Sequence, residues 1–289
     1  MSDYIIMTDS SADLPKSYLK EHNVPCISLK YTIDGIVYDN DDDEAAATFY
    51  QKLRNKSMPT TSQVNPQEAK QGMLKAIKIC KNILFIAFSS GLSGTCNSFM
   101  LAAQEIMDEM EDVNIKVIDS LSASLGQGLL VYKAVCMKEA GASKEEVAEW
   151  VEKYRYNTVH SFTVDDLDHL YRGGRLSKTA AVVGSMINLK PVLHVDNEGK
   201  LVNMFNVRGR KKSLNALIDF MEKSMGSYRE QNDIVFISHG NCEEDAKYVA
   251  DEVRKRFGID KFMINQIGPT IGSHTGPDVI ALVYLGEQR

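Results

Sequence analysis

The chain is predicted to be an α/β protein of two α/β domains, 1–158 and 159–289, and three observations carry this reading. Its 289 residues are about two domains by length, and 44 % hydrophobic residues are enough for packed cores. Short apolar runs alternate with helical patterns along the chain, the rhythm of β-α units. Near residue 158 a helical pattern gives way to a fresh apolar strand, Thr158-Val159-His160-Ser161-Phe162-Thr163-Val164, which opens a second such series.

Tyr4-Ile5-Ile6-Met7 is a short strand that runs into Thr8-Asp9-Ser10-Ser11-Ala12-Asp13 and a helix start at Pro15. Val24 to Tyr31 reads as one strand, and Asp34-Gly35 between Ile33 and Ile36 is a two-residue hairpin signal leading to Val37-Tyr38. A helix from about Asp43 to Lys56 precedes Met58-Pro59-Thr60-Thr61-Ser62-Gln63. Asn65-Pro66-Gln67-Glu68 then has cap, proline and glutamate where a capping box wants them. Ile83–Phe88 is a strand, Thr95 to about Met110 a helix, Ile115–Asp119 a strand, and Ser124 to Ala140 a helix stopped by Gly141. The Ser143–Tyr156 helix closes the first series. In the second, a short helix ends at Arg172-Gly173-Gly174-Arg175, and Pro191–Val195 with Leu201–Phe205 flank a glycine-containing turn, a hairpin. Helix Lys211–Met225, strand Ile234–Ser238, helix Glu243–Phe257, and strands Phe262–Ile267 and Val279–Leu285 follow, the last two joined by a glycine- and proline-rich loop.

Composition narrows the function. The longest apolar stretches, such as Ile280–Leu285, are far short of the ~20 residues that cross a bilayer. The start, Met1-Ser2-Asp3-Tyr4, lacks a basic region followed by an apolar signal segment, so the expected location is cytoplasmic. The five cysteines are far apart, with no C-x-x-C pair, and read as reduced structural thiols. Formal net charge is −6, carried by the first half. Residues 172–212 instead hold nine basic side chains (Arg172, Arg175, Lys178, Lys190, Lys200, Arg208, Arg210, Lys211, Lys212) against two acidic ones, Asp196 and Glu198. That patch suits phosphate handling or protein docking, or is a solvated surface. Aromatic interleaving is missing and the rest of the chain is acidic, which argues against nucleic acid.

The most informative stretch is Ser89-Ser90-Gly91-Leu92-Ser93-Gly94-Thr95, a tight polar loop between a strand and a helix. The first N–H groups of a helix lack intrahelical partners and carry partial positive charge, so an anion is expected near Ser93. Plain capping by Ser93 remains open beside it. A nucleophile elbow needs G-x-S-x-G, but Thr95 stands where the second glycine would be, so a serine hydrolase using Ser93 and His274 is the weaker alternative. Thr60-Thr61-Ser62 gains meaning only beside Ser93. The Asp39–Asp43 run lacks calcium-loop spacing, the six histidines show no zinc motif, and no G-x-x-x-x-G-K-[ST] is present; Gly126-Gln127-Gly128 does not complete G-x-G-x-x-G. No metal or nucleotide site is expected. Gly272-Ser273-His274-Thr275-Gly276-Pro277 sets one histidine among glycines and prolines, an ordinary turn or the mouth of a ligand site.

Taken in order, Thr8–Asp13, Pro59–Gln63, Ser90–Thr95, Asp119-Ser120, Arg172–Arg175 and Ile271–Pro277 strongly resemble the DegV family, almost end to end. The resemblance implies two α/β domains holding a long-chain fatty acid, such as palmitate, stearate or oleate, in a tunnel with its carboxylate near the domain interface. It implies that Thr61 and Ser93 hydrogen-bond that carboxylate with His274 at the same mouth, and that Ser62, Gly94 and Thr95 form the neighbouring loop. Two hydroxyls, backbone N–H groups and a helix N-terminus suffice chemically for a carboxylate without a fixed cation. The resemblance further implies a binding subunit that presents its acid to the ATP-using subunit of a bacterial fatty-acid kinase. Arg172, Arg175, Arg208 and Arg210 are then candidates for partner or phosphate contact. Such a subunit has no nucleotide site of its own and no cofactor besides the lipid. Cys96 departs from the family, which often has an aromatic residue there. At ~0.8 kcal/mol per buried CH₂, an acyl chain of about sixteen carbons gains roughly 10 kcal/mol before ordering costs. Met186, Ile187 and Leu189 are candidate tunnel residues.

Overall fold

The structure, a computed structural model, describes residues 4–177 and 188–289. In chain order the first series is β1 (Ile5–Asp9), α1 (Lys16–Glu21), β2 (Cys26–Ile27), β3 (Lys30–Ile33), β4 (Ile36–Asp39), α2 (Asp43–Arg54), β5 (Thr60–Ser62), α3 (Pro66–Ile77), β6 (Asn82–Ala87), α4 (Thr95–Glu109), β7 (Asn114–Asp119), α5 (Leu125–Glu139) and α6 (Lys144–Tyr154). The second is β8 (Thr158–Thr163), α7 (Asp168–Arg172), β9 (Leu189–Val195), β10 (Leu201–Arg208), α8 (Arg210–Ser224), β11 (Val235–His239), α9 (Glu243–Phe257), β12 (Phe262–Gln266), α10 (Pro269–Thr275) and β13 (Ile280–Leu285).

Three sheets result: a parallel one in the order β2-β1-β6-β7, a mixed one in the order β10-β9-β8-β13-β11-β12, and a small antiparallel one, β4-β3-β5. Local chemistry sets the helix ends as expected. Asn65 with Glu68, and Ser143 with Glu146, complete capping boxes at α3 and α6. Helix α9 carries acids in its first turn, bases in its last, and a left-handed Gly258 cap. Asp34 (φ 53°) and Gly35 (φ 79°) turn the β3–β4 hairpin.

Two expectations fail here. The single strand over Val24–Tyr31 is two strands in two sheets, because the Leu29 N–H leaves the ladder to donate to Ser10 Oγ (2.9 Å). The glycine-proline loop before β13 contains helix α10: Gly268 caps it, Pro269 sits in its first turn, and Gly272 and Gly276 N–H bond back four residues at 2.8 and 2.9 Å. Thr60–Ser62, assigned no element from the sequence, is a short strand paired with β3.

The joint between the large sheets is α5. Its residues are apolar on nearly every side, as a helix enclosed by protein must be, and it packs on β1 and β6 of one sheet and on β8, β11 and β13 of the other. Phe236, Val283 and Leu285 thereby join Ile6, Leu84 and Ile118 in one core around Leu129 and Leu130. Gly126 and Gly128 permit this approach. A Cβ on Gly126 would fall 1.7 Å from His160 Nε2, and one on Gly128 2.8 Å from the Ala12 carbonyl. The pair that failed as a nucleotide motif is a packing device.

Candidate functional site

In the parallel sheet the strand order reverses between β1 and β6, and crevices outside strand C-termini at such a point are where α/β sheets bind ligands. The loops after these strands meet there. Asp9 is fully buried and its carboxylate accepts Phe88 N–H (2.9 Å), Ser11 N–H (3.0 Å) and Gln127 Nε2–H (3.1 Å), locking the β1 loop to the β6 loop. The β6 loop is in turn gripped by the β9–β10 hairpin of the other sheet. Ser89 Oγ–H donates to the Gly199 carbonyl (2.9 Å), and a Cβ on Gly91 would lie 2.4 Å from the Glu198 carbonyl.

Beside this loop lies a largely apolar void, the concave kind of surface that small-molecule sites use. Leu29, Phe88 and Leu92 line it from one side; Phe162, Val195, Leu201, Val279 and Ala281 line it from the other sheet. Thr61, Ser62, Gln63, Ser93, Arg175 and His274 form part of its polar wall, and Ser124, His160, Thr270 and Thr275 line it as well. Thr61 is held by β5 pairing with Tyr31, Ser93 stands at the start of α4, and His274 is on α10. Residues 213 positions apart, Thr61 Oγ1 and His274 Nε2, are 2.8 Å apart.

Burial first, then the neighbouring charge of Arg175 and the ring of His169, push the His274 pKa down to about 4. It is therefore neutral near pH 7, and among the described residues its Nδ1 has no hydrogen-bond partner. The ring has no room to shift. A Cβ on Gly173 would lie 2.1 Å from Nδ1. Arg175 is half-buried, donates from Nε to the Leu92 carbonyl (3.0 Å) and bonds the Gly173 carbonyl. Among the described residues it meets no carboxylate within ion-pair distance, and burial alone lowers its pKa.

Ser93 also caps. Its Oγ accepts Thr95 N–H (3.2 Å) and lies 2.9 Å from Thr95 Oγ1, which accepts Val64 N–H (3.2 Å). Gly94 is the cap residue of α4, and a Cβ there would meet Gln63 Oε1 at 2.2 Å. The arginines expected to act together are dispersed. Arg175 lines the void, and exposed Arg172 reaches Met58 Sδ (2.9 Å). Arg210 is paired with Asp245 (2.8 Å). Arg208 ends β10, about 20 Å along the strand from the Leu201 end that touches the void. The basic excess is thus not one patch, because Arg210 is neutralised and β10 separates Arg208 from the other two. Leu189 begins β9 and is not in the wall of the void; Met186, Ile187 and Lys178 lie outside the described residues. Sequence reasoning missed the cavity position of Arg175, together with Gln63, Ser124, His160 and Thr270 in the same wall. For Arg175 the available signal was Gly173-Gly174 beside it, glycines that bring the chain against His274.

A family model described as "Uncharacterised protein, DegV family" matches residues 4–287. The chain belongs to the DegV family. A DegV domain-containing protein of Clostridium perfringens is 44 % identical over 100 % of this chain and 99 % of the relative. A solved DegV family protein from Thermus thermophilus, described by its fatty acid binding, is 28 % identical with a TM-score of 0.87, over 98 % of this chain and 99 % of that one. The Streptococcus pneumoniae fatty acid kinase B3 protein, solved loaded with linoleic acid, shares the fold: TM-score 0.85, 24 % identity, 99 % of each chain. As in these DegV neighbours, the architecture is two-domain α/β. Among the described residues no helix is long and apolar enough to cross a membrane, and no group of three His, Cys, Asp or Glu side chains is placed to hold a metal ion.

Proposed function

We propose that this chain binds one long-chain fatty acid, its carboxylate toward Thr61, Ser93, His274 and Arg175 and its tail in the apolar void. In this reading it presents the acid, in the cytoplasm, to a separate ATP-using kinase subunit that forms the acyl phosphate. The observation that carries it is half-buried Arg175, which among the described residues meets no protein carboxylate and lines a mostly apolar cavity beside a neutral histidine and two hydroxyls. A charge left uncompensated in such a place is costly, and a ligand carboxylate supplies the counter-charge and accepts its remaining N–H groups. With the proton of His274 on Nε2 and donated to Thr61 Oγ1, the Thr61 hydroxyl is free to donate to the ligand. The site thus has a cation that the sequence reading had not put there.

The two domains of this reading, 1–158 and 159–289, each supply part of the wall. The fatty acid binding of the Thermus thermophilus neighbour and the kinase name of the Streptococcus pneumoniae one support cargo and partner. Arg172, exposed and next to Gly173, is our candidate for meeting the partner. Two contacts favour binding over the hydrolase alternative: Ser93 bonds Thr95, and among the described residues the His274 ring meets Thr61 and no carboxylate.

Mass spectrometry of an organic extract of the purified, denatured protein should find a roughly stoichiometric fatty acid. Thr61→Ala with Ser93→Ala should lose it while staying folded. A clean extract with no uptake of added acid refutes binding, and full occupancy in the double variant refutes the site.

A further inference from the structure

Helix α10, which carries His274, belongs in sequence to the second sheet but is fastened by residues of the first series. Tyr50 Oη–H donates to the Ile267 carbonyl (2.9 Å), Thr270 N–H donates to Asn40 Oδ1 (2.7 Å), and Gly268 N–H donates to Asp13 Oδ1 (2.9 Å). Asp13 is the hub. Its other oxygen accepts the Ser124 hydroxyl (2.6 Å), its backbone carbonyl accepts Asn265 Nδ2–H (2.7 Å), and Ser124 Oγ lies 2.9 Å from Ser238 Oγ. Through its carboxylate, its backbone carbonyl and Ser124, Asp13 thus ties the β1 loop, the start of α5, β11, β12 and the start of α10 together, and Ser124 is in the wall of the void.

The backbone is bent to make this possible. Asp13 (φ 50°) and Ser124 (φ 51°, ψ −144°) sit in conformations that side-chain-bearing residues rarely adopt, and such strain persists where surrounding contacts impose it. The fit at Gly268 is closed, since a Cβ there would lie 2.8 Å from Asp13 Oδ1 and 2.8 Å from Asn40 Nδ2. Among the described residues both partners of the Asp13 side chain, the Ser124 hydroxyl and the Gly268 N–H, are donors, so the carboxylate acts as a bidentate acceptor.

We propose that Asp13 is a positioning residue of the lipid site: by fixing the first turn of α10 it sets the reach of His274 to Thr61, and by holding Ser124 it shapes the wall of the void. This rests on the fatty-acid reading above for its consequence, not for its geometry. Ionisation bears on it. The titratable groups that face Asp13 are Asp9 of β1, Cys26 of β2, with Lys16 beyond it, and Tyr50 of α2. Its neighbours from α5, β11, β12 and α10 are neutral serines, an asparagine and backbone, and His239, next to Ser238, points to the opposite face of β11. Burial, with a smaller push from Asp9, brings the Asp13 carboxyl up to about 7. Asparagine therefore imitates its protonated form and keeps an acceptor for Gly268.

The test uses the full chain stripped of lipid. The His274 ring resonances, assigned with a His274→Gln variant, are followed with pH in wild type, Asp13→Ala and Asp13→Asn, and palmitate affinity is measured in each. Asp13→Ala should shift the His274 lines and weaken palmitate about tenfold or more, the scale of one lost charge-assisted anchor. Asp13→Asn should restore most of the affinity and lack the inflection near neutral pH that the wild-type His274 lines show. Unshifted lines in Asp13→Ala, or an inflection that persists in Asp13→Asn, overturns the proposal. Should Asp13→Ala not fold, the comparison of Asp13→Asn with wild type decides alone. Wild-type protein that takes up no fatty acid overturns the binding reading instead, while the His274 lines still judge Asp13.

Discussion

Arg175→Met separates the charge of the head-group site from its shape. Methionine keeps most of the aliphatic stem and removes the guanidinium that is alone in the void without a protein carboxylate. Two unit charges about 4 Å apart at an effective dielectric of about 20 attract by about 4 kcal/mol. Desolvating the ligand carboxylate takes back part of that, and Arg175 is itself only half-buried, so the net value falls in the range of a charged hydrogen bond, about 1.5–3 kcal/mol. Palmitate affinity should therefore fall about 10- to 150-fold. Isothermal titration with palmitate and with hexadecanol, on wild type, Arg175→Met and Arg175→Lys, isolates the effect. The alcohol reports loop damage from the lost bonds to Leu92 and Gly173, and the acid reports that damage plus charge. Arg175→Lys, which keeps the charge without the fork, should fall between. Because Arg175 is the second cause of the low His274 pKa, that pKa should also rise in Arg175→Met. Equal losses for acid and alcohol, or no loss for the acid, would refute the assignment of the ligand carboxylate to this cation.

Two further outcomes follow from burial. The folded Asp13 carboxyl is raised to about 7 against about 3.9 in the unfolded chain, so its contribution to stability is fully present below pH ~4 and is lost as pH rises through about 7. The loss is on the order of 4 kcal/mol at most. Denaturant melts of Asp13→Asn should show that slope removed, with stability at pH ~8 no lower than wild type; a slope identical to wild type would mean that Asp13 is not the group responsible. Gly173→Ala, whose Cβ would lie 2.1 Å from His274 Nδ1, should displace the ring or lower stability by about 1–3 kcal/mol. Thermal melting together with palmitate titration checks this, and wild-type values in both would contradict the close packing.

Most of the scaffold is legible in the sequence because local chemistry decides it. Apolar runs mark β6, β8 and β11, and Asn65-Pro66 with Glu68 marks α3. Asp34-Gly35 marks its hairpin, the two residues taking positive φ as that turn demands. Local signals fail where tertiary bonds choose. Nothing in Val24–Tyr31 shows that Leu29 will donate to Ser10 and send the chain into another sheet. Gly268-Pro269 reads equally as a loop or a helix start until Asp13, Asn40 and Tyr50 arrive to hold it. The site divides the same way. Its motifs are visible, but the Thr61–His274 contact spans 213 residues, and Arg175 leaves the surface for the void only because Gly173 packs against His274.

That division has a physical consequence for how such a site works. Its donors come from loops of both sheets, and they meet because α5 lets the sheets approach over two glycines and Asp13 then ties α10 across the joint. A bound acid would touch both sides at once, its carboxylate among Thr61, Ser93, Arg175 and His274 and its tail against Phe88, Phe162 and Val195. Ligand and fold would then be linked: an acid that binds only the assembled site would stabilise the joint by mass action, and with it the contacts that hold Asp13 and Ser124 at positive φ. Conversely, loosening the joint far from the mouth would weaken the grip on a head group held in the proposed site without touching any of its proposed contacts. On the proposed reading, residues such as Gly126 and Asp13, which no reading of the head-group motifs would select, would belong to the binding apparatus as fully as Thr61.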